Sequence, residues 1–411
     1  MNDDRRVVVS GMGIVTAIGL TETEVWETLM AGRSGLRVLR NHDFSANHVQ
    51  VGAEIDATAI DALTPQHLRR ADRTVKLAIE ASRQALTEGR CLPGTADAPA
   101  EIAAIFGCGC GPTETLHGSF RRFAEKGPKG MRPSSVPNGM ANSLSAGISI
   151  QFQLTGSNYT VVSACTSSTN AIGIGFRMIR DGHAEAVLCG GADNNFDPFY
   201  YGLWNNLGVF SPIADPARAL RPFAVDRAGT LLGEGAGALL LESLGSARRR
   251  GVRIRGEVAG YGESSDATHI TGPSAIGQAR ALSGALRSAG VTPQDIGYIS
   301  AHGTGTDAND VTEALAIRSV MGESTDAIPV GALKSYFGHT LGASGAIESI
   351  ATLLALEHGV APGNLNLDVP DPACPVHLIA SEPRELRREV ALKNSFGFGG
   401  GNAVLVLRRF S

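Results

Sequence analysis

A chain of 411 residues, 43% hydrophobic and 18% charged, can bury a sizeable core, which excludes both global disorder and a single small module. Thirty-six Lys and Arg against 40 Asp and Glu leave a formal charge of −4, which argues against bulk nucleic-acid binding. The six cysteines show no pair of CxxC motifs with zinc spacing and no compact pattern, so neither a structural metal site nor a disulfide framework is expected.

The N-terminus, MNDDRRVVVSGMG, passes from charge straight into a strand-like run without an apolar signal core. Gly, Asp, Arg or Glu interrupts every apolar run well short of the roughly 20 residues of a membrane span, so a soluble, cytoplasmic protein is expected. Short runs rich in β-branched residues predict strands at 7–10, 102–106, 159–163, 186–189, 238–241, 256–260, 296–301, 328–332 and 403–407. Helical patterns fall at 69–88, 167–180, 275–289, 310–321 and 342–358. On the first of these, Val75, Ala78, Ile79, Ala85 and Leu86 form an apolar stripe at helical spacing. Strands alternating with helices imply an α/β fold with a buried parallel or mixed sheet. The 51 glycines, concentrated where apolar runs end, imply tight turns around a site.

The chain also reads as doubled. RRVVVSGMG and IRGEVAGYG each open a segment with a strand and a Gly-rich turn, and GAGALLLESL and GGGNAVLVLRR each close one. Halves of this kind share one core and place a site at their junction.

Four motifs carry candidate chemistry. Cys165, in YTVVSACTSSTNAIGIGFRMIRDG, lies where a strand-like run turns into a helix. A thiol at a helix N-terminus is expected to have a lowered pKa, and its backbone N–H could help hold an oxyanion. His302, in YISAHGTGTDAND, and His339, in ALKSYFGHTLGASGA, follow strand-like runs in Gly-rich loops, with Lys334 five residues before the second. The run KNSFGFGGGNAV sets Phe396 and Phe398 among glycines, either as a tight turn with core aromatics or as a backbone that offers an N–H to an oxyanion and a ring to an acyl chain.

VVSACTSS, AHGTGTDAND, GALKSYFGHTLGASG and NSFGFGGGN, in this order, resemble the β-ketoacyl-acyl carrier protein synthases of the thiolase-like superfamily, and the likeness spans essentially the whole chain. The resemblance implies two pseudo-symmetric α/β halves in a five-layered α/β/α/β/α core. Residues 1–250 would hold the nucleophile and 251–411 the histidine pair. It further implies that Cys165 accepts an acyl group from acyl carrier protein and that His302 and His339 stabilise the enolate formed when malonyl carrier protein loses carbon dioxide. Lys334 would support the histidines, with Glu313 as its carboxylate partner. Phe398 would gate the two half-reactions, and Thr304 and Thr306 would bind the phosphopantetheine arm. No metal or cofactor is implied beyond that arm, which the carrier brings. The implied assembly is a homodimer, or a heterodimer with a chain-length-factor-like subunit.

A non-catalytic chain-length-factor-like subunit is the rival reading; such subunits usually lack the nucleophilic cysteine. Thiolases usually carry a second catalytic cysteine near the C-terminus, and none follows Cys374. CTSS and GGGN depart from the CAT and GGTN usual in bacterial fatty-acid enzymes, and Cys110 falls where a larger residue often walls the acyl pocket, with Phe396 also assigned there. These departures favour polyketide or polyene synthesis over fatty-acid synthesis. Because carrier proteins are acidic, Arg69, Arg70, Arg73, Lys126, Lys129 and Arg132 are the expected docking residues.

Overall fold

The structure, a computed structural model, describes residues 3–410. Its main sheet has ten strands: β1 (Val7–Thr16), β2 (Ala103–Gly107), β3 (Asn158–Val161), β4 (Ala186–Asp193), β5 (Gly235–Ser243), β6 (Gly256–Ser265), β7 (Ile296–Ala301), β8 (Val330–Ala332), β9 (Val390–Gly397) and β10 (Gly401–Arg408). The helices that bear on the site are α1 (Arg73–Glu88), α2 (Thr113–Lys126), α3 (Ser167–Arg180), α4 (Pro198–Asn206), α5 (Ala275–Ala289), α6 (Asp307–Met321) and α7 (Ser344–His358). None of the described helices is long and apolar enough to cross a membrane.

Across the sheet the order is β8-β7-β9-β10-β6-β1-β5-β4-β2-β3. Counted outward from the centre, each half runs through its own first, fifth, fourth, second and third strand. The pairings also match, two antiparallel and then two parallel on each side. The halves join where β1 and β6 pair antiparallel from Val7↔Val258 to Val9↔Gly256.

Helix α1 covers β1 and β5 on one outer face, α5 covers β6 and β10 on the other with α6 beside it, and α3 and α7 lie between. The layers are therefore α/β/α/β/α, as the resemblance implies. The central core draws Ile14, Ile172, Phe176 and Leu239 from one half and Tyr298, Ile347, Ile350 and Leu405 from the other. Every residue of α7 from Ser344 to Leu356 is buried, as a helix enclosed on all sides requires.

Two local differences from the sequence pattern have physical causes. Helix α1 begins at Arg73 rather than 69, because Asp72 caps it by accepting from the Thr74 N–H at 3.0 Å, which leaves Arg69 and Arg70 in the preceding turn. Strand β9 is hidden from a pattern search by the polar run Lys393-Asn394-Ser395, all of it fully buried and hydrogen-bonded inside.

The central helices touch through a glycine. A Cβ on Gly345 of α7 would come within 2.1 Å of Thr169 Oγ1 and 2.6 Å of the Thr169 backbone nitrogen on α3. Gly345→Ala must push the two helix starts apart, and overpacking of this kind typically costs about 1–3 kcal/mol. The chemical denaturation midpoint of the variant should fall accordingly, with an unchanged slope.

Candidate active site

The same device brings both central helices to the site. Strand β3 ends at Val161, and Ala164, with φ +53°, turns the chain into a 3-10 turn, Ala164–Thr166, that carries Cys165 into α3. After β8 in the second half, Leu341, with φ +46°, opens a 3-10 turn, Leu341–Ala343, that leads into α7. Left-handed backbone at a non-glycine residue is uncommon and marks a held geometry. Asp193, at the end of β4, ties the second turn to the first half by accepting from the Gly342 N–H at 2.6 Å and the Gly109 N–H at 2.7 Å. Burial lifts the Asp193 carboxyl to about 7.

Cys165, His302 and His339 converge. Cys165 Sγ lies 3.1 Å from His339 Nε2, and the two imidazole centroids are 5.3 Å apart in an edge-on arrangement. All three residues are buried. His339 is fixed by its backbone, which donates to Leu231 O at 2.7 Å and accepts from the Gly233 N–H at 3.0 Å. His302 follows β7, and Glu313 on α6 accepts from its N–H at 2.7 Å and from the Gly303 N–H at 2.9 Å.

Burial and the nearby Lys334 hold both imidazoles well below their usual pKa, so both rings are neutral. Their tautomers follow from the bonds they make. The Leu341 N–H donates to His339 Nδ1 at 3.2 Å, which makes that nitrogen an acceptor and puts the proton on Nε2, facing the sulfur. Lys334 Nζ lies 3.3 Å from His302 Nδ1, and an ammonium can only donate, so the His302 proton is also on Nε2.

The expected lowering of the thiol pKa is not found. Burial pushes the Cys165 thiol up to about 12, against the opposing pull of Lys334 and of the Phe398 N–H bonded to it. Desolvation therefore outweighs the helix terminus, and the resting group is a thiol. The arrangement can stabilise negative charge as it forms, first on sulfur or a carbonyl oxygen and then on an enolate. The sulfur and one nitrogen of each ring also lie within 4.8 Å of one another, a donor set that a soft divalent cation could bridge once the thiol ionised.

Lys334 is wholly buried and bonds Glu348 Oε1 at 2.7 Å and His302 O at 2.6 Å. The expected pairing of Lys334 with Glu313 is corrected: Glu348 on α7 is its partner, and Glu313 instead clamps the His302 backbone and accepts from Asn394 Nδ2 at 3.0 Å. Glu348 Oε2 also meets the buried Lys393 Nζ at 2.8 Å. Sequence reasoning missed Glu348 and Lys393. The available signal was a lone acid in the otherwise apolar run GAIESIATLLAL and a lysine amid a strand.

A cavity of about 300 Å³ opens over the triad. Thr304, Thr306, Phe396 and Phe398 all line it, and the two threonine hydroxyls are 2.8 Å apart. Phe398 is 37% exposed and stacks on Trp204 of α4 at 5.8 Å between centroids. Cys110 is not on this wall; it is exposed and bonds the Tyr200 hydroxyl at 2.6 Å. Of the basic residues, Arg69, Arg70 and Arg132 border a separate recess of about 270 Å³ together with Lys76 and Arg122. Lys126 and Lys129 are exposed beyond it. Arg73 does not fit a docking role: it is spent on a double hydrogen bond to the buried Glu234, at 2.7 and 2.9 Å.

A buried thiol 3.1 Å from one imidazole nitrogen, with a second imidazole beside it, on a doubled α/β/α/β/α frame, is an arrangement suited to the chemistry of a thiol acyltransferase. The Beta-ketoacyl synthase N-terminal domain model matches residues 4–247 and the C-terminal domain model residues 255–368. The chain is 38% identical over 412 residues to a 3-oxoacyl-[acyl-carrier-protein] synthase 2 of Synechocystis sp., covering 99% of each. It superposes with TM-score 0.91 and 35% identity on the ishigamide ketosynthase/chain length factor, covering 99% of this chain and 100% of that one. A type II PKS acyl-carrier protein in complex with its ketosynthase bound to the hexaketide gives TM-score 0.91 at 28% identity, with the same coverage. The chain belongs to the β-ketoacyl synthase family, whose members are acyltransferases that form carbon–carbon bonds.

Two outcomes follow. Glu348→Gln leaves two buried ammoniums without their carboxylate, and breaking a buried pair in this way costs about 3–5 kcal/mol; equilibrium denaturation should show a loss of that order. Because both rings resist protonation, nitrogen NMR of histidine-labelled protein at pH 6 should show His302 and His339 neutral with the proton on Nε2, where a free histidine is mostly charged.

Proposed function

We propose that the chain condenses an acyl group held on Cys165 with malonyl carrier protein to give 3-oxoacyl carrier protein, in polyketide or polyene chain elongation. The 3.1 Å contact between Cys165 Sγ and His339 Nε2, with His302 beside it, is the observation that carries this reading. In the first half-reaction the Cys165 sulfur attacks the thioester carbonyl of an acyl carrier protein. The carbon–sulfur bond to the carrier breaks, and the thiol proton ends on the carrier's pantetheine thiol. The Cys165 and Phe398 N–H groups are suited to the transient oxyanion, as both already act on the sulfur.

In the second half-reaction malonyl carrier protein loses carbon dioxide. The electron pair of the broken bond moves into the thioester, giving an enolate whose oxygen accepts from the two Nε2–H groups. The enolate carbon then attacks the Cys165 thioester and expels the thiolate, which takes a proton from solvent. Neutral imidazoles suit this chemistry, since they donate without trapping the enolate as a stable ion pair. Lys334 acts through His302 by keeping its Nδ1 occupied, and Thr304 and Thr306 receive the pantetheine arm. The reaction takes no metal or organic cofactor besides that arm and proceeds in the cytoplasm.

The carrier docks at the basic recess of Arg69, Arg70 and Arg132, with Lys126 and Lys129 adding positive charge nearby. A second subunit, a copy of this chain or a chain-length-factor-like relative, covers the edge strand β3 and the exposed apolar side chains Phe120, Val136 and Ile150, which are 70%, 68% and 80% exposed. The halves 1–250 and 251–411 contribute the nucleophile and the imidazoles respectively.

Intact-protein mass spectrometry after incubation with a panel of acyl carrier proteins tests the assignment. The protein should gain the acyl mass, and Cys165→Ala should gain none; loading that persists in the variant would refute Cys165 as the nucleophile. Removing one charge-stabilising donor typically lowers a rate about a hundredfold to a thousandfold. His302→Ala should therefore still load but lose condensation by about that factor.

A further inference from the structure

The wall of the Cys165 cavity carries two polar side chains with nothing to bond. Gln278, near the start of α5, is fully buried, and neither atom of its amide has a hydrogen-bond partner among the described residues. The hydroxyl of Thr230, 3% exposed, is likewise unpartnered. Buried polar groups are nearly always satisfied, since each left unpaired forfeits its hydration for no return.

The polar groups packed around this stretch of wall bond one another and not Gln278. Asp266 already accepts from Asn402 Nδ2 at 2.7 Å and from the Ser274 N–H at 3.0 Å, and Ser264 Oγ donates to Gly277 O at 2.6 Å. Thr230 has its backbone N–H committed to Val209 O and its carbonyl to the Ser211 N–H, both at 2.9 Å, so its hydroxyl alone remains. Much of the remaining wall is apolar, with Trp204, Leu207, Val209 and Ile270 contributing. A donor and an acceptor on one side chain, with a hydroxyl in the same apolar cavity, match the chemistry of an amide or a carbonyl.

We propose that Gln278 and Thr230 form a polar subsite that hydrogen-bonds an amide or carbonyl group of the thioester substrate. The inference takes its substrate class from the proposed condensation. Two parts of such a substrate carry that chemistry: the amides of the pantetheine arm, and an oxygenated acyl chain beyond the thioester.

Gln278→Met keeps the length of the side chain while removing both polar atoms, and Thr230→Val keeps its shape. Loading of Cys165 is measured by intact mass, for wild type and both variants, with three probes: a saturated acyl pantetheine thioester, the same acyl group as an ethyl thioester, and a 3-oxoacyl pantetheine thioester. Loss of one such bond should lower kcat/KM roughly tenfold. If the arm is the source, both pantetheine probes lose and the ethyl thioester does not; if the chain is the source, the 3-oxoacyl probe alone loses. Either pattern supports the subsite, and the melting temperature of Gln278→Met should not fall. Unchanged rates on all probes, or equal losses on all three, overturn it. Wild-type protein that loads no probe overturns the condensation reading and the subsite with it, a result separable from a variant that merely matches wild type.

Discussion

An ammonium removed from water must be paired or give up its proton. Lys334 is paired three ways, to Glu348, to the His302 carbonyl and to His302 Nδ1. Burial first, and then its positive charge beside the two rings, makes a second and third cation unfavourable, which keeps His302 and His339 neutral. By donating to His302 Nδ1 it also fixes which nitrogen of that ring carries the proton. Protonation state and tautomer, the two properties that the proposed enolate chemistry needs, thus descend from burial and the Lys334 charge, with Lys334 fixing the tautomer of His302 and the Leu341 N–H that of His339. Behind it, Glu348 is shared with a second buried lysine, Lys393.

The doubled topology explains how residues so distant in sequence meet. Strands β3 and β8 occupy equivalent places in their halves, and each is followed by a 3-10 turn with a left-handed non-glycine residue and then by a central helix. Pseudo-symmetry therefore drives the starts of α3 and α7 against each other, close enough that Gly345 admits no Cβ. The halves have diverged in what they place there. The first supplies a sulfur at its turn, and the second supplies an imidazole just before its own, along with the Gly342 backbone N–H that Asp193 clamps. A single large core, shared across both halves, holds these turns rigid relative to one another.

Desolvation runs through the whole site with consistent sign. It raises Cys165, lowers both histidines and lifts Asp193, in each case favouring the neutral form. Negative charge on the sulfur or on a bound oxygen then appears as bonds rearrange, against donors already in place, which is the condition under which such donors act most strongly.

Motif order identified the family, and local pattern located Cys165, His302, His339 and most strands and helices, because short-range periodicity and turn chemistry are properties of neighbouring residues. Strand β9 escaped, since its buried Lys393-Asn394-Ser395 run looks like a loop until partners from other elements are present. The partner of Lys334 was misassigned for the same reason: Glu313 and Glu348 are both acids on helices, and nothing local tells which one faces the ammonium. The nucleophile's pKa was read from its helix start alone, whereas burial by residues of both halves decides it. Arg73 read as a surface charge until Glu234, 161 positions away, claimed it. The sequence alone determined which chemical groups and which backbone turns this protein possesses. Which of them meet, and how far each is removed from water, only the tertiary structure decided, because electrostatic environment depends on distance in space and not along the chain.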